Sequence, residues 1–550
     1  MKIALAQLNY NIGDFEGNVS SIINTIDKAK NYKVDLVIFS ELSVCGYPPQ
    51  DLLEKKSFIQ DNEDAINKIA EKCYGIAAII GAPTINYRKK GKQLFNSALF
   101  LNEGQVQFQQ NKSLLPTYDI FDEHRYFEPN EKFNIVEYKD KRIAITICED
   151  LWDIQPVESS FAKSQLYNIT PMEKLSEYNP DFVVNIAASP FSYTRIWGRK
   201  NIFIRNAKKY QLPIFYVNQV GAQTELVFDG GSMVVNNSGL IVDELEYFAE
   251  DYKVFDLEQI ANAEKNHQEN DDELIKKIHD ALVLGIRDYF GKMKFEKATL
   301  GLSGGIDSAV SLVLAERALG NENLRVLLLP SKYSSDHSIK DAVDLANNLN
   351  IEYDIINIQN IVDNFEDSLS HIFKDMPIDI TEENIQARTR GTVLMALSNK
   401  FGHILLNTSN KSEAAVGYGT LYGDMNGGLS VLGDVYKTDV FKLARFMNSE
   451  KEIIPENTIV KPPSAELRPD QKDSDSLPDY DILDKILFEY IELQKSIGDI
   501  IDEGFDEKVV RRIIKLVNSN EYKRYQAPPI IRISSKAFGA GRRMPLVAKY

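Results

Sequence analysis

Apolar residues recur along this chain in two rhythms, a period of two over short runs and a period between three and four over longer ones. Residues 2–8 alternate as a strand, 18–30 carry helical spacing, and the apolar run 34–39 predicts a buried strand. Short apolar runs predict further strands at 77–81, 97–101, 142–147, 181–186, 214–217 and 232–235, with helical segments between several of them. This succession predicts a layered α/β domain over 1–245. Across 246–272 the periodicity weakens and charge rises, which predicts a linker with one closing strand at 253–255. The pattern then resumes: helix 273–291, strand 297–302, helix 306–318, strand 324–329, helix 336–349, strand 353–358, a long helix from 382 to 398 and a strand at 403–406. Strands separated by helices predict a doubly wound parallel sheet over 273–550, with ligands gathered at the carboxyl ends of its strands. Residues 470–481, with their Asp, Ser and Pro content, predict a loop.

Composition narrows the picture. A chain of 550 residues is too long for one ordinary core, so at least two domains are expected. A net charge of −17 argues against a general nucleic-acid or membrane-surface partner. No run approaches the roughly 18 apolar residues of a membrane-spanning helix, and the opening Met1-Lys-Ile-Ala-Leu-Ala-Gln-Leu lacks the apolar core of a signal peptide. Three cysteines make no disulfide framework and predict a reducing, cytoplasmic setting.

Three residues of the first half end an apolar strand or stand just beyond one. Glu41 follows Leu-Val-Ile-Phe-Ser, Lys112 follows Gln-Phe-Gln-Gln-Asn, and Cys148 follows Arg-Ile-Ala-Ile-Thr-Ile. A thiol becomes a strong nucleophile when a cation lowers its pKa and a base takes its proton, and this set supplies all three functions. The blocks Phe39-Ser-Glu-Leu-Ser-Val-Cys-Gly-Tyr-Pro-Pro, Asn111-Lys-Ser-Leu-Leu-Pro-Thr-Tyr and Ile147-Cys-Glu-Asp-Leu-Trp resemble, in order and spacing, those of the nitrilase (carbon–nitrogen hydrolase) superfamily. The resemblance implies an αββα sandwich in which Cys148 attacks an amide carbonyl, Glu41 is the general base and Lys112 stabilises the oxyanion. It further implies a glutamine site at Tyr118, Ser189 and Arg195, where a guanidinium suits an α-carboxylate. A second family glutamate is expected at Glu123 or Glu128. Cys45 and Cys73 follow no such block and read as structural.

The second half turns on Gly301-Leu-Ser-Gly-Gly-Ile-Asp-Ser308, set between a strand and a helix. Unpaired N–H groups and the helix dipole at such a turn suit a polyphosphate, glycines admit close approach, and Asp307 in the first helical turn can hold a Mg²⁺ that bridges to it. The loop lacks the lysine of a Walker loop and resembles that of the PP-loop ATP pyrophosphatases. With Glu383-Asn-Ile-Gln-Ala-Arg-Thr-Arg, Thr408-Ser-Asn-Lys-Ser-Glu, Asp434-Val-Tyr-Lys-Thr and Lys461-Pro-Pro-Ser-Ala-Glu-Leu, the resemblance tightens to the glutamine-dependent NAD⁺ synthetase family. It implies that Gly301, Leu302, Ser303, Gly304, Gly305, Ile306, Asp307 and Ser308 hold ATP together with Thr408, Lys437 and Ser464. Asn384, Arg388, Glu413 and Lys536 would contact deamido-NAD⁺, and Asp307 and Glu413 would bind Mg²⁺. The substrates implied are deamido-NAD⁺, ATP and L-glutamine, and a homo-oligomer is expected.

Overall fold

The computed structural model describes residues 1–152, 156–158, 163–194, 196–260, 263, 271–374, 376–469, 471, 473 and 477–548. Internal contacts divide the chain into two units, Met1–Asn270 and Asp271–Tyr550.

The first unit is built on two six-stranded sheets. One runs in the order Asp251–Asp256, Lys2–Gln7, Leu36–Ile38, Ala77–Ile85, Leu94–Asn102 and Gln105–Asn111. The other runs Ile241–Glu244, Met233–Val235, Ile214–Asn218, Phe182–Ala187, Lys141–Ile147 and Val136–Tyr138. The period of two explains how they stack. Ile3, Leu5, Leu36 and Ile38 face the opposing sheet and join Ile145, Val183 and Val217 in one core. Their neighbours Ala4, Ala6, Val37 and Phe39 face outward against the helices Phe15–Asn31 and Lys56–Ala70 through Ile22, Ile26, Ile66 and Ile69. On the far side the helix Ile196–Tyr210 packs Phe203 onto Tyr216, ring centres 4.4 Å apart. This is the expected αββα sandwich. The strand Asp251–Asp256, within the stretch read as a linker, pairs antiparallel with Lys2–Gln7 and closes the first sheet.

The second unit carries a five-stranded sheet in the order Glu352–Ile355, Leu324–Leu328, Ala298–Gly301, Ile404–Asn407 and Leu429–Ser430, and every pairing is parallel. The order reverses direction between Ala298–Gly301 and Ile404–Asn407, so a crevice opens at the carboxyl ends of those two strands. The long helix Ile380–Phe401 begins at a capping box, in which Asp379 accepts from the Thr381 N–H and Glu382 from the Asp379 N–H, both at 2.8 Å. It stops at Gly402, which takes the left-handed φ of 71° that a Cβ disfavours. Two expectations shift. The strand predicted to 358 ends at Ile355, and an unanticipated helix, Gln359–Phe373, follows. Of the predicted loop 470–481, Asp470, Lys472 and 474–476 lie outside the described residues, and helix has already begun at Tyr480. Among the described residues no helix is long and apolar enough to cross a membrane.

Candidate active sites

In the first unit the strand ends bring Glu41, Lys112 and Cys148 to one place. Lys112, buried, donates from Nζ to Glu41 Oε1 at 2.7 Å and to Glu123 Oε1 at 2.8 Å. Burial alone would lower the Lys112 pKa, but Glu123 and Glu41 together hold it well above its ordinary value, which favours the ammonium form. Glu41 Oε1 also accepts from Asn96 Nδ2 at 2.7 Å, and Oε2 from the Ala188 N–H at 2.9 Å. Glu123 accepts from the Tyr47 hydroxyl at 2.9 Å, and burial pushes its pKa up to about 7. Of the two glutamates left open by the sequence, Glu123 touches Lys112, whereas Glu128 accepts from the Lys92 N–H at 2.7 Å.

Cys148 opens a short 3-10 turn, Cys148–Leu151, with φ of +43°, a left-handed backbone that a non-glycine residue holds only when its surroundings impose it. Asp150 is the imposing group. Its Oδ1 accepts from the N–H groups of Ser113 and Leu114, both at 2.9 Å, and its Oδ2 from that of Ile147 at 3.1 Å. One buried carboxylate thus ties the segment after Lys112 to the residue before Cys148. Burial and Glu41 push the Cys148 thiol well above its ordinary value against the pull of Lys112. The cation alone therefore does not favour a resting thiolate here. Cys45 and Cys73 are buried and unpaired, and burial raises both thiols, Cys73 to about 12.

The residues expected around the glutamine are dispersed about this core. The Tyr118 hydroxyl donates to Glu149 Oε1 at 2.9 Å, and Tyr167 donates to the same oxygen at 2.8 Å. Ser189 is held by its backbone, its N–H and carbonyl both bonded to the Asn218 amide at 2.8 and 3.1 Å. Arg195 lies outside the described residues.

In the second unit a cavity of about 570 Å³ occupies the crevice. The 301–308 loop forms one wall. Ser303 Oγ and Ser308 Oγ lie 3.1 Å apart, the Gly305 N–H donates to Ser303 Oγ at 3.2 Å, and no side chain caps the helix Ile306–Leu319, so its first N–H groups stay open to a ligand. Gly304 has φ of +79°, and a Cβ there would stand 2.2 Å from the Ser338 carbonyl oxygen. Thr408, Glu413, Lys437 and Ser464 also line the cavity. The Lys437 ammonium contacts Asp307 and lies 3.4 Å from Glu413, while Asn410 Nδ2 donates to Asp307 at 2.9 Å. Burial and the Asp307 charge push Glu413 up to about 8. The Ser464 hydroxyl is engaged within its own loop, donating to the Gln471 carbonyl.

Three expected residues stand elsewhere. Asn384 Oδ1 accepts from the Thr420 hydroxyl at 2.7 Å, Arg388 Nε donates to the Leu421 carbonyl at 3.1 Å, and the Lys536 carbonyl accepts from Lys411 Nζ at 3.0 Å. None of the three lines this cavity. Others do that the motifs did not single out. Arg390 lines it and donates to the Leu329 carbonyl at 3.0 Å, and burial lowers its pKa to about 10. Behind the wall Lys411 is buried against Asp434 at 2.7 Å and against Glu492, and Asp434 accepts from the Ile533 and Ser534 N–H groups at 2.8 and 2.7 Å. Lys411 and Asp434 stand inside quoted blocks, but their role is to anchor the C-terminal tail.

The fit for a divalent cation follows from the donors. Asp307 and Glu413 place hard oxygens at the mouth of the phosphate-type loop, and no cluster of three metal-binding side chains exists among the described residues. Two carboxylates completed by water and phosphate oxygens is the arrangement Mg²⁺ favours.

The NAD synthase family matches residues 278–527 and the Carbon-nitrogen hydrolase family residues 2–156. The glutamine-dependent NAD(+) synthetase of Synechocystis sp. is 44% identical, covering 100% of this chain and 99% of the relative. That of Acinetobacter baylyi is 42% identical over 99% of this chain and 98% of its own. The solved structure of the glutamine-dependent NAD⁺ synthetase of Acinetobacter baumannii, in complex with adenosine diphosphate, matches with a TM-score of 0.78 at 40% identity, covering 99% of this chain and 98% of that one. The chain belongs to the glutamine-dependent NAD⁺ synthetases, a family of ligases.

Proposed function

We propose that the two units divide one reaction, the ATP- and glutamine-dependent amidation of deamido-NAD⁺ to NAD⁺ with release of AMP, pyrophosphate and glutamate. The first unit makes ammonia. Glutamine binds through Tyr118, Ser189 and Arg195; Cys148 attacks its carboxamide while Glu41 takes the thiol proton, and Lys112 stabilises the oxyanion. Glu41 returns that proton to the departing nitrogen, and ammonia leaves a glutamyl thioester on Cys148. Glu123 and Tyr47 hold Lys112 in place. The single observation that carries this reading is the buried Glu41–Lys112–Glu123 chain beside the left-handed Cys148 turn.

The second unit adenylates. ATP lies with its phosphates against Ser303, Gly304, Gly305 and Ser308, with Thr408, Lys437 and Ser464 opposite. Asn384, Arg388, Glu413 and Lys536 contact deamido-NAD⁺, whose nicotinate carboxylate attacks the α-phosphorus. Asp307 and Glu413 would hold Mg²⁺, which when bound supplies charge neutralisation for the departing pyrophosphate. Ammonia then displaces AMP from the mixed anhydride. Free ammonia is mostly protonated near neutral pH and not nucleophilic in that form, so nitrogen passes between the sites without release.

We assign the protein to a reducing cytoplasm, in keeping with its three unpaired cysteines. The homo-oligomer proposed here would let a second copy cover exposed apolar side chains such as Phe365, Ile372, Met376, Ile378 and Ile380. The deciding experiment follows labelled amide nitrogen from glutamine into NAD⁺ in the presence of excess unlabelled ammonium. Label is expected in the product carboxamide with one AMP formed per NAD⁺; ADP in place of AMP, or complete dilution of the label, defeats the reading.

A further inference from the structure

Behind the cavity of the second unit lies a charge cluster that no step of the proposed reaction uses. The side chains of Lys411, Asp434 and Glu492 are fully buried, one ammonium against two carboxylates. Lys411 Nζ lies 2.7 Å from Asp434 Oδ1, contacts Glu492, and donates to Ser534 Oγ at 2.8 Å and to the Lys536 carbonyl at 3.0 Å. An ammonium carries three protons, so these acceptors leave it none to spare. The C-terminal tail meets the remaining negative charge. Asp434 accepts from the Ile533 and Ser534 N–H groups at 2.8 and 2.7 Å and from the Ser534 hydroxyl at 2.8 Å, and Glu492 accepts from the Ser535 hydroxyl at 2.6 Å. The tail is laid beside the strand Leu429–Ser430, where the Ser430 N–H donates to the Pro529 carbonyl at 2.8 Å.

A buried ion cluster is weak evidence for stability, since apolar side chains of similar volume fill such a space as well; what it can supply is a fixed register. Here the register is that of the segment that carries Glu413. Lys411 opens the helix Lys411–Val416, and the residue before it is the cap. Asn410 Oδ1 accepts from the Glu413 N–H at 2.9 Å, while Asn410 Nδ2 donates to Asp307 at 2.9 Å. The next residue also bonds inward, Ser412 donating its hydroxyl to Asp484 and accepting from the Lys437 N–H at 2.9 Å. Glu413, one position on, lines the cavity. We propose that Lys411 is a positioning residue for the adenylation site: gripped by Asp434, Glu492 and the tail, it fixes Asn410, and through Asn410 the placement of Asp307 relative to Glu413. The inference rests on the reading of those two carboxylates as Mg²⁺ ligands and deepens it by naming what holds them before the cation arrives. It gives the tail a part in that site at a distance, because withdrawing residues 533–536 would strand a buried negative charge and free the Lys411 ammonium to follow.

The test compares the full-length protein with Lys411→Met and, should that variant fail to fold around two unpaired carboxylates, with Ser534→Ala, which removes one hydroxyl of the cluster and leaves its charges paired. Unfolding temperature, Mg²⁺ affinity by calorimetry in the presence of ATP, and the KM for ATP and kcat of ammonium-driven synthesis are measured well below the unfolding transition. Mg²⁺ affinity is expected to fall about tenfold or more in Lys411→Met, the cost of losing a group that orients a metal ligand, and the rate should recover as Mg²⁺ is raised. Ser534→Ala should weaken it about threefold, the scale of one hydrogen bond. A folded Lys411→Met, or failing that a folded Ser534→Ala, whose Mg²⁺ affinity equals that of the unsubstituted protein overturns the proposal whatever its unfolding temperature, since the cluster then only holds the fold. Asp307→Asn is measured alongside. If it too leaves Mg²⁺ affinity unchanged, the metal reading is what fails, and the Lys411 or Ser534 variant must then raise the KM for ATP; an unchanged KM overturns the proposal as well.

Discussion

Each unit of this protein sets one lysine between two carboxylates, and the two settings differ in what they leave open. Lys112 and its partners Glu41 and Glu123 have side-chain exposures of 0%, 0% and 6%, and Glu41 is further held by Asn96 and the Ala188 N–H. Lys437 is equally buried, but its partners Asp307 and Glu413 keep 19% and 17% of their side chains exposed toward a cavity. The first set has its donors in place before any ligand arrives, which suits proton transfer at a fixed distance. The second leaves two carboxylate faces that a cation and a polyphosphate can complete. Burial raises one acid in each set, Glu123 to about 7 and Glu413 to about 8. One lysine and two carboxyl groups are thus closed off from solvent in one place and open to a cavity in the other.

The largest effect should come from separating the two. Cys148→Ala is expected to lower glutamine-driven NAD⁺ synthesis by at least about 10⁴-fold, the scale of losing a covalent nucleophile. Synthesis from added ammonium should stay within about twofold, because nothing in the second unit depends on that sulfur. Loss of both activities would erase the division of labour. The converse substitution, Lys437→Met, leaves Asp307 and Glu413 facing each other without their cation. Synthesis should then fall by roughly 10³-fold with either nitrogen source, while glutamine hydrolysis continues; a variant that retains synthesis would show that the second lysine is only structural.

A third effect sharpens the contrast between closed and open. Burial and the Asp307 charge raise the Glu413 carboxyl to about 8, which favours its protonated form at neutral pH. A cation has to displace that proton, so Mg²⁺ affinity measured by calorimetry should tighten up to about tenfold per unit as pH rises toward 8 and level off beyond. The sign is set by the raised pKa: the charged form that binds metal is the one burial disfavours. Affinity that stays flat from about pH 6 to about pH 8 would remove Glu413 from the metal site.

How far the sequence carried this picture depends on whether a feature is local. The alternation in residues 2–8 and the helical spacing of 18–30 reappear as Lys2–Gln7 and Phe15–Asn31 because each element buries one face against a layer its own pattern specifies. The parallel sheet, and the gathering of polar loops at the carboxyl ends of its strands, were legible from strand–helix succession. Asn96 and Asp150 were not. Asn96 is one of three polar residues, with Ser97 and Asn102, in the strand Leu94–Asn102, and only the folding of that strand beside Glu41 brings it to the carboxylate. Asp150 is visible in the Cys148 block, but its bonds reach to Ser113 and Leu114, far away along the chain. Helix Gln359–Phe373 escaped because it buries little: Val362 is its sole buried residue, and its exposed Phe365 and Ile372 blur the apolar stripe.

The smallest expected effect concerns the loop wall itself. Gly304 holds φ of +79°, and a Cβ there would meet the Ser338 carbonyl oxygen at 2.2 Å. Gly304→Ala therefore adds both a left-handed backbone cost and a clash with rigid backbone, together about 1–3 kcal/mol against stability. The clash can be relieved only by moving Ser338 or the loop, and Ser338 is held in place: its hydroxyl accepts from Ser335 Oγ at 2.9 Å and donates to Glu466 Oε1 at 2.8 Å. The loop should yield, withdrawing its N–H groups from the phosphates and raising the KM for ATP about tenfold, the equivalent of one weakened charge-assisted hydrogen bond. Glutamine hydrolysis should not change, because the closed site of the first unit shares none of these atoms. An unchanged KM for ATP in this variant would mean that the phosphates lie elsewhere in the cavity, and the open receptor would have to be redrawn around Arg390 instead.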